Sequence, residues 1–174
     1  MTIVARDLVT PSEFTPGSLI EALRNAGFDV ELVESDLPMR SVPAAAAAIG
    51  VSQGEIIKTL LFQDKEGQFV RAIASGPDRV DRKRLAQLAG TQTLSMASAE
   101  AVLSVTGWPP GGVAPVGSRK PVRTFVDERV VACVVVYGGG GTEYALLRMA
   151  PADIVTITSA TVANLTASSI GEPE

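Results

Sequence analysis

Ile56-Ile57-Lys58-Thr59-Leu60-Leu61-Phe62, the turn Asp64-Lys65-Glu66-Gly67 and the return from Gln68 to Ser75 read as a β-hairpin. On a period-two strand Lys58 shares a face with Ile56, Leu60 and Phe62, while Ile57, Thr59 and Leu61 take the other. Both faces are apolar, so the strand is expected to lie centrally in its sheet, and a lysine there is awkward. Two readings stay open. The side chain snorkels to the surface from a strand end, or its charge is aimed into a cleft to hold a phosphate or polarise a carbonyl.

Working outward from the hairpin, residues 1–14 read as a loosely held lead-in. Thr15-Pro16 opens a helix with Leu19, Ile20, Leu23 and Ala26 on one face and Gly27 as its stop. Phe28 to Glu34 reads as a short strand. Ser41-Val42-Pro43 caps and starts a helix through Ala44 to Ala48, ended by Gly50. Ser52-Gln53-Gly54-Glu55 has the capping-box spacing, over one turn. Beyond the hairpin, Asp81 caps a helix through Gly90 with Leu85 and Leu88 as its buried stripe, and Ser98 caps another through about Val105. Strands are expected at about Val122–Val126 and Val130–Tyr137, the second carrying Cys133 as a small buried hydrophobe. After the glycine run comes a strand at about Tyr144–Met149. Ala150-Pro151-Ala152-Asp153 opens a short helix or turn, Ile154–Asn164 closes the domain, and 167–174 is a tail. Hairpins interspersed with helices indicate one α+β domain built on a mixed sheet.

The 174 residues suit a single domain with a real core, and 46% hydrophobic with 20% charged residues is ordinary globular usage. No run approaches the roughly 18 uncharged apolar residues of a membrane span. Met1 to Glu13 lacks signal-peptide architecture, so a cytoplasmic protein without membrane contact is expected. The single cysteine excludes an internal disulfide framework. Histidine is absent, which removes Ser-His and Cys-His nucleophile pairs, imidazole bases and nearly every common zinc site. No metal and no cofactor is expected; any catalysis runs on lysine, carboxylates, hydroxyls, backbone dipoles or the substrate itself. A net charge of −4 argues against a polyanion coat and against a DNA-binding regulator, as does the lack of a helix-turn-helix pattern. A local basic patch stays possible.

The stretch Gly107-Trp108-Pro109-Pro110-Gly111-Gly112-Val113-Ala114-Pro115-Val116-Gly117 holds four glycines and three prolines in eleven residues. It cannot form regular helix or strand. It is either a structural turn or a rigid backbone cradle that a ligand approaches closely. Gly138-Gly139-Gly140-Gly141 joins two strands as a plain hairpin or a binding loop; it matches neither the dinucleotide fingerprint nor a P-loop, so nucleotide-triphosphate chemistry is rejected. Arg79, Arg82, Lys83 and Arg84 form one basic cluster and Arg119, Lys120 and Arg123 another. Each is a solvated face or a set of phosphate contacts.

The Ile56–Leu61 strand resembles that of the YbaK family, also called the prolyl-tRNA-synthetase-associated (editing insertion) domain family. So do Ala74-Ser75-Gly76-Pro77-Asp78-Arg79-Val80-Asp81 with Lys83-Arg84-Leu85, then Thr106-Gly107-Trp108 through Gly117, and Gly139-Gly140-Gly141. The order and spacing agree over about residues 15–166. The resemblance implies a mixed fold with a curved sheet and trans-editing aminoacyl-tRNA deacylase activity. It assigns the strand lysine to Lys58, and the glycine and proline of a Gly-x-x-x-Pro motif to Gly111 and Pro115. By the same resemblance Lys58 and Gly111 are catalytic. Ser75, Gly76, Gly112, Val113, Ala114, Pro115, Gly139 and Gly140 bind substrate, and Arg79, Lys83, Arg119 and Lys120 meet tRNA.

The implied partner is an aminoacylated tRNA, with a synthetase as a candidate transient partner. The implied substrate is a small residue such as Ala or Cys on tRNA-Pro or a related tRNA, destroyed at a second sieve because a methylene gives a synthetase too little discrimination. Some relatives carry a histidine near the pocket or an aspartate in the strand after the last glycine loop. Here there is no histidine, that strand reads Tyr144-Ala145-Leu146-Leu147-Arg148, and Met39-Arg40-Ser41-Val42 is left to shape the pocket. The alternative is a non-catalytic module that binds a tRNA end or an aminoacyl-adenosine. Its marks would be a pocket filled by bulky side chains, or Lys58 pointing to bulk solvent.

Overall fold

A computed structural model describes residues 4–166. The hairpin is present: β2 (Ile57–Gln63) and β3 (Phe69–Ser75) pair antiparallel, with Lys58 opposite Ala74 and Thr59 opposite Ile73. The turn is closed by Asp64, whose Oδ1 accepts from the N–H groups of Glu66 and Gln68, each at 2.9 Å.

Among the described residues six helices accompany two sheets. In chain order the elements are α1 (Pro16–Asn25), β1 (Glu31–Glu34), α2 (Val42–Ile49), a 3-10 turn (Gln53–Glu55), β2, β3, α3 (Arg82–Ala89) and β4 (Ser95–Met96). Then come α4 (Ala99–Thr106), β5 (Arg123–Asp127), α5 (Glu128–Val131), β6 (Val136–Gly139), β7 (Ala145–Met149), α6 (Pro151–Thr158) and β8 (Thr161–Ala163). The larger sheet runs β4-β2-β3-β5-β8 and the smaller β1-β7-β6. β3, β5 and β8 are mutually parallel and the other pairs antiparallel, so this is a mixed α+β domain. The capping residues act as the sequence implies. Thr15, Ser41, Asp81 and Ser98 each accept a first-turn N–H through the side chain.

One core cluster joins Leu19 and Leu23 of α1 to Ile57, Ile73 and Val126 of the large sheet, Leu147 of the small one, Ile154 and Ile157 of α6, and Trp108. A second packs Phe62, Ala72, Ala74 and Phe125 against Leu85 and Ala86 of α3.

Four expectations need correction. The run Val130–Tyr137 is not one strand. The Asp127 carboxylate accepts from the Arg129 N–H at 2.9 Å and the Leu165 N–H at 2.7 Å, which turns the chain into α5 and delays β6 to Val136. Cys133 therefore sits in a bend, half-buried. Leu88 is 37% exposed; the buried stripe of α3 is Leu85 and Ala86. β2 is not central along its length, since β4 pairs it only at Phe62 and Gln63. The described part of the lead-in is not loose either. Asp7 is buried and clasped by Arg71 of β3, with Nη2–Oδ1 at 2.9 Å and Nη1–Oδ2 at 3.3 Å. Arg71 Nε donates to Thr124 Oγ1, the Ser118 N–H donates to Asp7, and the Leu8 N–H donates to the Ile157 carbonyl, each at 2.9 Å.

Candidate active site

Tyr137 of β6 bridges to Ile56 at the start of β2, and Ala97 and the short β4 take the far end from Leu61 to Gln63, which leaves a gap in that β2 edge at Thr59. The Gly76 N–H donates to the Ile56 carbonyl at 2.6 Å, which sets the antiparallel phase: main-chain groups of even-numbered β2 residues turn toward β3 and those of odd-numbered ones turn away. The Ala97 N–H meets the Leu61 carbonyl on that far side at 2.9 Å. Thr59 therefore presents its main-chain groups to the gap in that edge. Burial follows the same geometry. Lys58, Thr59 and Leu60 are half-buried, between buried Ile57 and buried Leu61.

Facing that edge is the Gly/Pro loop, held by the glycine run of β6. The Gly141 N–H donates to the Gly112 carbonyl at 2.9 Å, and Gly139 lies directly against the Val113 carbonyl, where a Cβ has no room. Gly111, with φ +90°, turns the loop toward the pocket in a conformation that side-chain-bearing residues rarely adopt. The result is a cavity of about 170 Å³ lined by Lys58, Thr59, Ile56 and Ile57 of the hairpin strand, by Gly111, Val113 and Gly139, and by Met39, Val42, Ala45 and Leu146, with Arg40 and Ser41 at its margin. Arg40 is held there by a bidentate pair with Glu143, at 2.7 and 3.1 Å, and the pair keeps Arg40 protonated and Glu143 ionised more firmly than usual.

Among the described residues the Lys58 ammonium has no ion pair. The neighbouring Asp78 is bridged instead by Arg129, at 3.3 Å. Burial draws Lys58 below the ordinary lysine value, opposed by the Asp78 charge. A half-buried cation without an ion pair, over a pocket walled by aliphatic side chains with Arg40, Ser41 and Thr59 among them, can hold an anionic or strongly polar group. Cys133 lies outside this pocket, and burial, then the Glu55 charge, pushes its thiol up.

Of the residues singled out from sequence, Lys58, Gly111, Val113 and Gly139 line this one pocket, and so do Met39, Arg40, Ser41 and Val42, the segment expected to shape it. The others lie elsewhere. Ser75 is buried, donates to the Gly54 carbonyl at 3.0 Å and lines a separate surface groove with Asp78, Arg129 and Cys133. Gly76 packs under Val42, and Gly112 and Gly140 serve backbone-to-backbone docking. Ala114 is a core residue, and Pro115 is buried with its ring against Gly138. Arg119 stacks over the Phe14 ring and Lys120 Nζ donates to Ser104 Oγ at 3.2 Å; with Arg79 and Lys83, neither is part of the pocket lining. Arg123 is structural, capping α3 through the Leu88 and Ala89 carbonyls at 3.3 and 2.8 Å. Sequence reasoning passed over Thr59, Ala45 and Leu146. Only Thr59, a hydroxyl beside the lysine in an apolar strand, carried any signal.

The likeness to known proteins agrees with this geometry. The sequence profile of the aminoacyl-tRNA editing domain matches residues 37–157, which contain every pocket residue. A protein of Enterococcus faecalis named "Putative Cys-tRNA(Pro)/Cys-tRNA(Cys) deacylase EbsC" is 26% identical over 72% of this chain and 77% of its own length. The proline–tRNA ligase of Bacillus licheniformis is 32% identical over 66% of this chain, which spans only 20% of that ligase. A crystal structure described as a "putative trans-editing enzyme for prolyl tRNA synthetase" superposes with a TM-score of 0.77 at 34% identity, over 84% of this chain and 93% of the other. The chain belongs to the aminoacyl-tRNA editing domain family.

Proposed function

We propose that this protein hydrolyses the ester of a mischarged tRNA in trans, in the cytoplasm, removing a small aminoacyl group such as Ala or Cys from tRNA-Pro or a related tRNA. The observation that carries the reading is the unpaired Lys58 ammonium set opposite Gly111 over one small, mostly apolar pocket. A cavity of about 170 Å³ walled by Met39, Val42, Ala45 and Leu146 suits a short side chain and is not filled by bulky ones.

In this scheme Lys58 anchors the terminal adenosine phosphate or the ester oxygen region, and main-chain groups of Gly111 to Val113 hold the acyl part and its developing negative charge. A water oxygen attacks the ester carbonyl, the bond from that carbon to the ribose oxygen breaks, and the ribose oxygen takes up a proton. No carboxylate or imidazole lines the pocket, so the proton passes from the water through the vicinal ribose hydroxyl to the leaving oxygen, with a backbone carbonyl accepting a hydrogen bond from the water to orient it. Arg79, Lys83, Arg119 and Lys120 are proposed to meet phosphates of the acceptor arm outside the pocket.

The test is a panel of tRNAs charged with labelled Ala, Cys, Ser, Thr or Pro. Loss of one or two of the small aminoacyl groups supports the reading and names the substrate. Intact esters in every lane, with the tRNA end still bound, would leave a non-catalytic binding module.

A further inference from the structure

We infer that an apolar chamber lies directly behind the Lys58 pocket, and that the Thr59 side chain is the partition fixing how large an aminoacyl side chain the site admits; this rests on the editing function proposed above. A second cavity of about 170 Å³ runs on along the same β2 edge, lined by Leu60, Leu61, Met96, Val102 and Pro110. It shares Thr59, Gly111 and Val113 with the Lys58 pocket, so these three residues form the wall between the two spaces.

The polar groups at the rear of the chamber are already engaged. Arg71 is committed to Asp7 and Thr124, and the Thr106 hydroxyl donates to the Val102 carbonyl at 2.6 Å. The chamber therefore suits an aliphatic or thioether side chain and not a charged one. Of the shared wall, Gly111 contributes no side chain, and Val113 has its carbonyl fixed against Gly139. Val113 also brings a side chain to the wall, but Thr59 is the one of the three that brings a hydroxyl. Its Oγ1 is buried and has no hydrogen-bond partner among the described residues. A valine of the same shape would avoid that cost, so the hydroxyl is left free for a ligand lying at the partition.

The test uses two non-hydrolysable ligands, 3′-deoxyadenosine carrying alanine or methionine through a 3′-amide. Binding is measured by calorimetry to the wild type, Thr59→Ala and Thr59→Val, with folding checked by circular dichroism. The wild type should favour the alanyl ligand. Thr59→Ala should shift the methionyl-to-alanyl affinity ratio by roughly tenfold or more toward methionine, the scale of a changed apolar contact. Thr59→Val, which keeps the partition, should hold the wild-type ratio. An unchanged ratio in Thr59→Ala, an equal shift in Thr59→Val, or no binding of either ligand overturns the partition. Hydrolysis of Ala-tRNA and Met-tRNA measured alongside separates the two ideas. A shifted ratio without hydrolysis sinks the enzyme reading alone, and hydrolysis by the wild type with no shift sinks the partition alone.

Discussion

Gly139 of β6 lies so close to the carbonyl of Val113 that a Cβ at position 139 would occupy the space of that backbone group. The loop wall of the pocket is thus positioned by absence of a side chain. Gly139→Ala must push Val113, and with it Gly111, off the Lys58 edge. We expect catalytic efficiency to fall by on the order of a hundredfold, the usual penalty for an ångström-scale misplacement, with a smaller loss of thermal stability. Single-turnover deacylation compared with the melting curve checks it; an unchanged rate would mean the loop position does not matter.

The Asp7–Arg71 pair predicts that the N-terminal segment is part of the fold. Asp7→Ala leaves a buried guanidinium uncompensated, a defect of about 3–5 kcal/mol. Urea unfolding should show a large drop in midpoint. The apolar double replacement Asp7→Leu with Arg71→Met should recover part of it, since the pair's attraction largely offsets its own desolvation, while the buried Ser118 N–H stays without its acceptor. A single variant as stable as wild type would contradict the burial seen here.

Lys58 sets a pH dependence. Its folded-state value is lowered by burial, so it loses its proton below the ordinary lysine value of 10.5. Ligand binding that needs the ammonium should weaken as pH rises, with a midpoint below 10.5. Lys58→Arg, which stays charged, should give a flat profile over the same range. Stability moves the opposite way. Both states are charged at neutral pH, and the burial cost is relieved only as pH climbs from the lowered folded value toward the unfolded one. Wild type should therefore gain stability relative to Lys58→Met across that window; urea midpoints that fail to converge there would remove the desolvation argument.

Local chemistry made the hairpin and the four side-chain caps legible, because turn and cap residues act within a few positions of themselves. What failed depended on distant partners. Asp7 meets Arg71 64 residues away, which nothing near position 7 announces. Asp127 breaks the expected valine strand by reaching Leu165, 38 residues on. The site was half legible. Lys58 stood out as a charge in an apolar strand, and the two glycine-rich runs stood out as backbone surfaces. Their division of labour did not, because which glycines face a ligand and which face each other is decided by docking of the loop on β6. Ala45 and Leu146 looked like any core residue. Only the gap in the β2 edge at Thr59, between the β6 bridge at Ile56 and the short β4, opens the space that they line.

The most direct measurement is single-turnover hydrolysis of the aminoacyl-tRNA that the panel identifies, by wild type and Lys58→Ala proteins of matched circular dichroism. The account predicts that the variant folds normally and its rate falls to that of the uncatalysed ester. A Lys58→Ala protein that still clears the ester at the wild-type rate would contradict it.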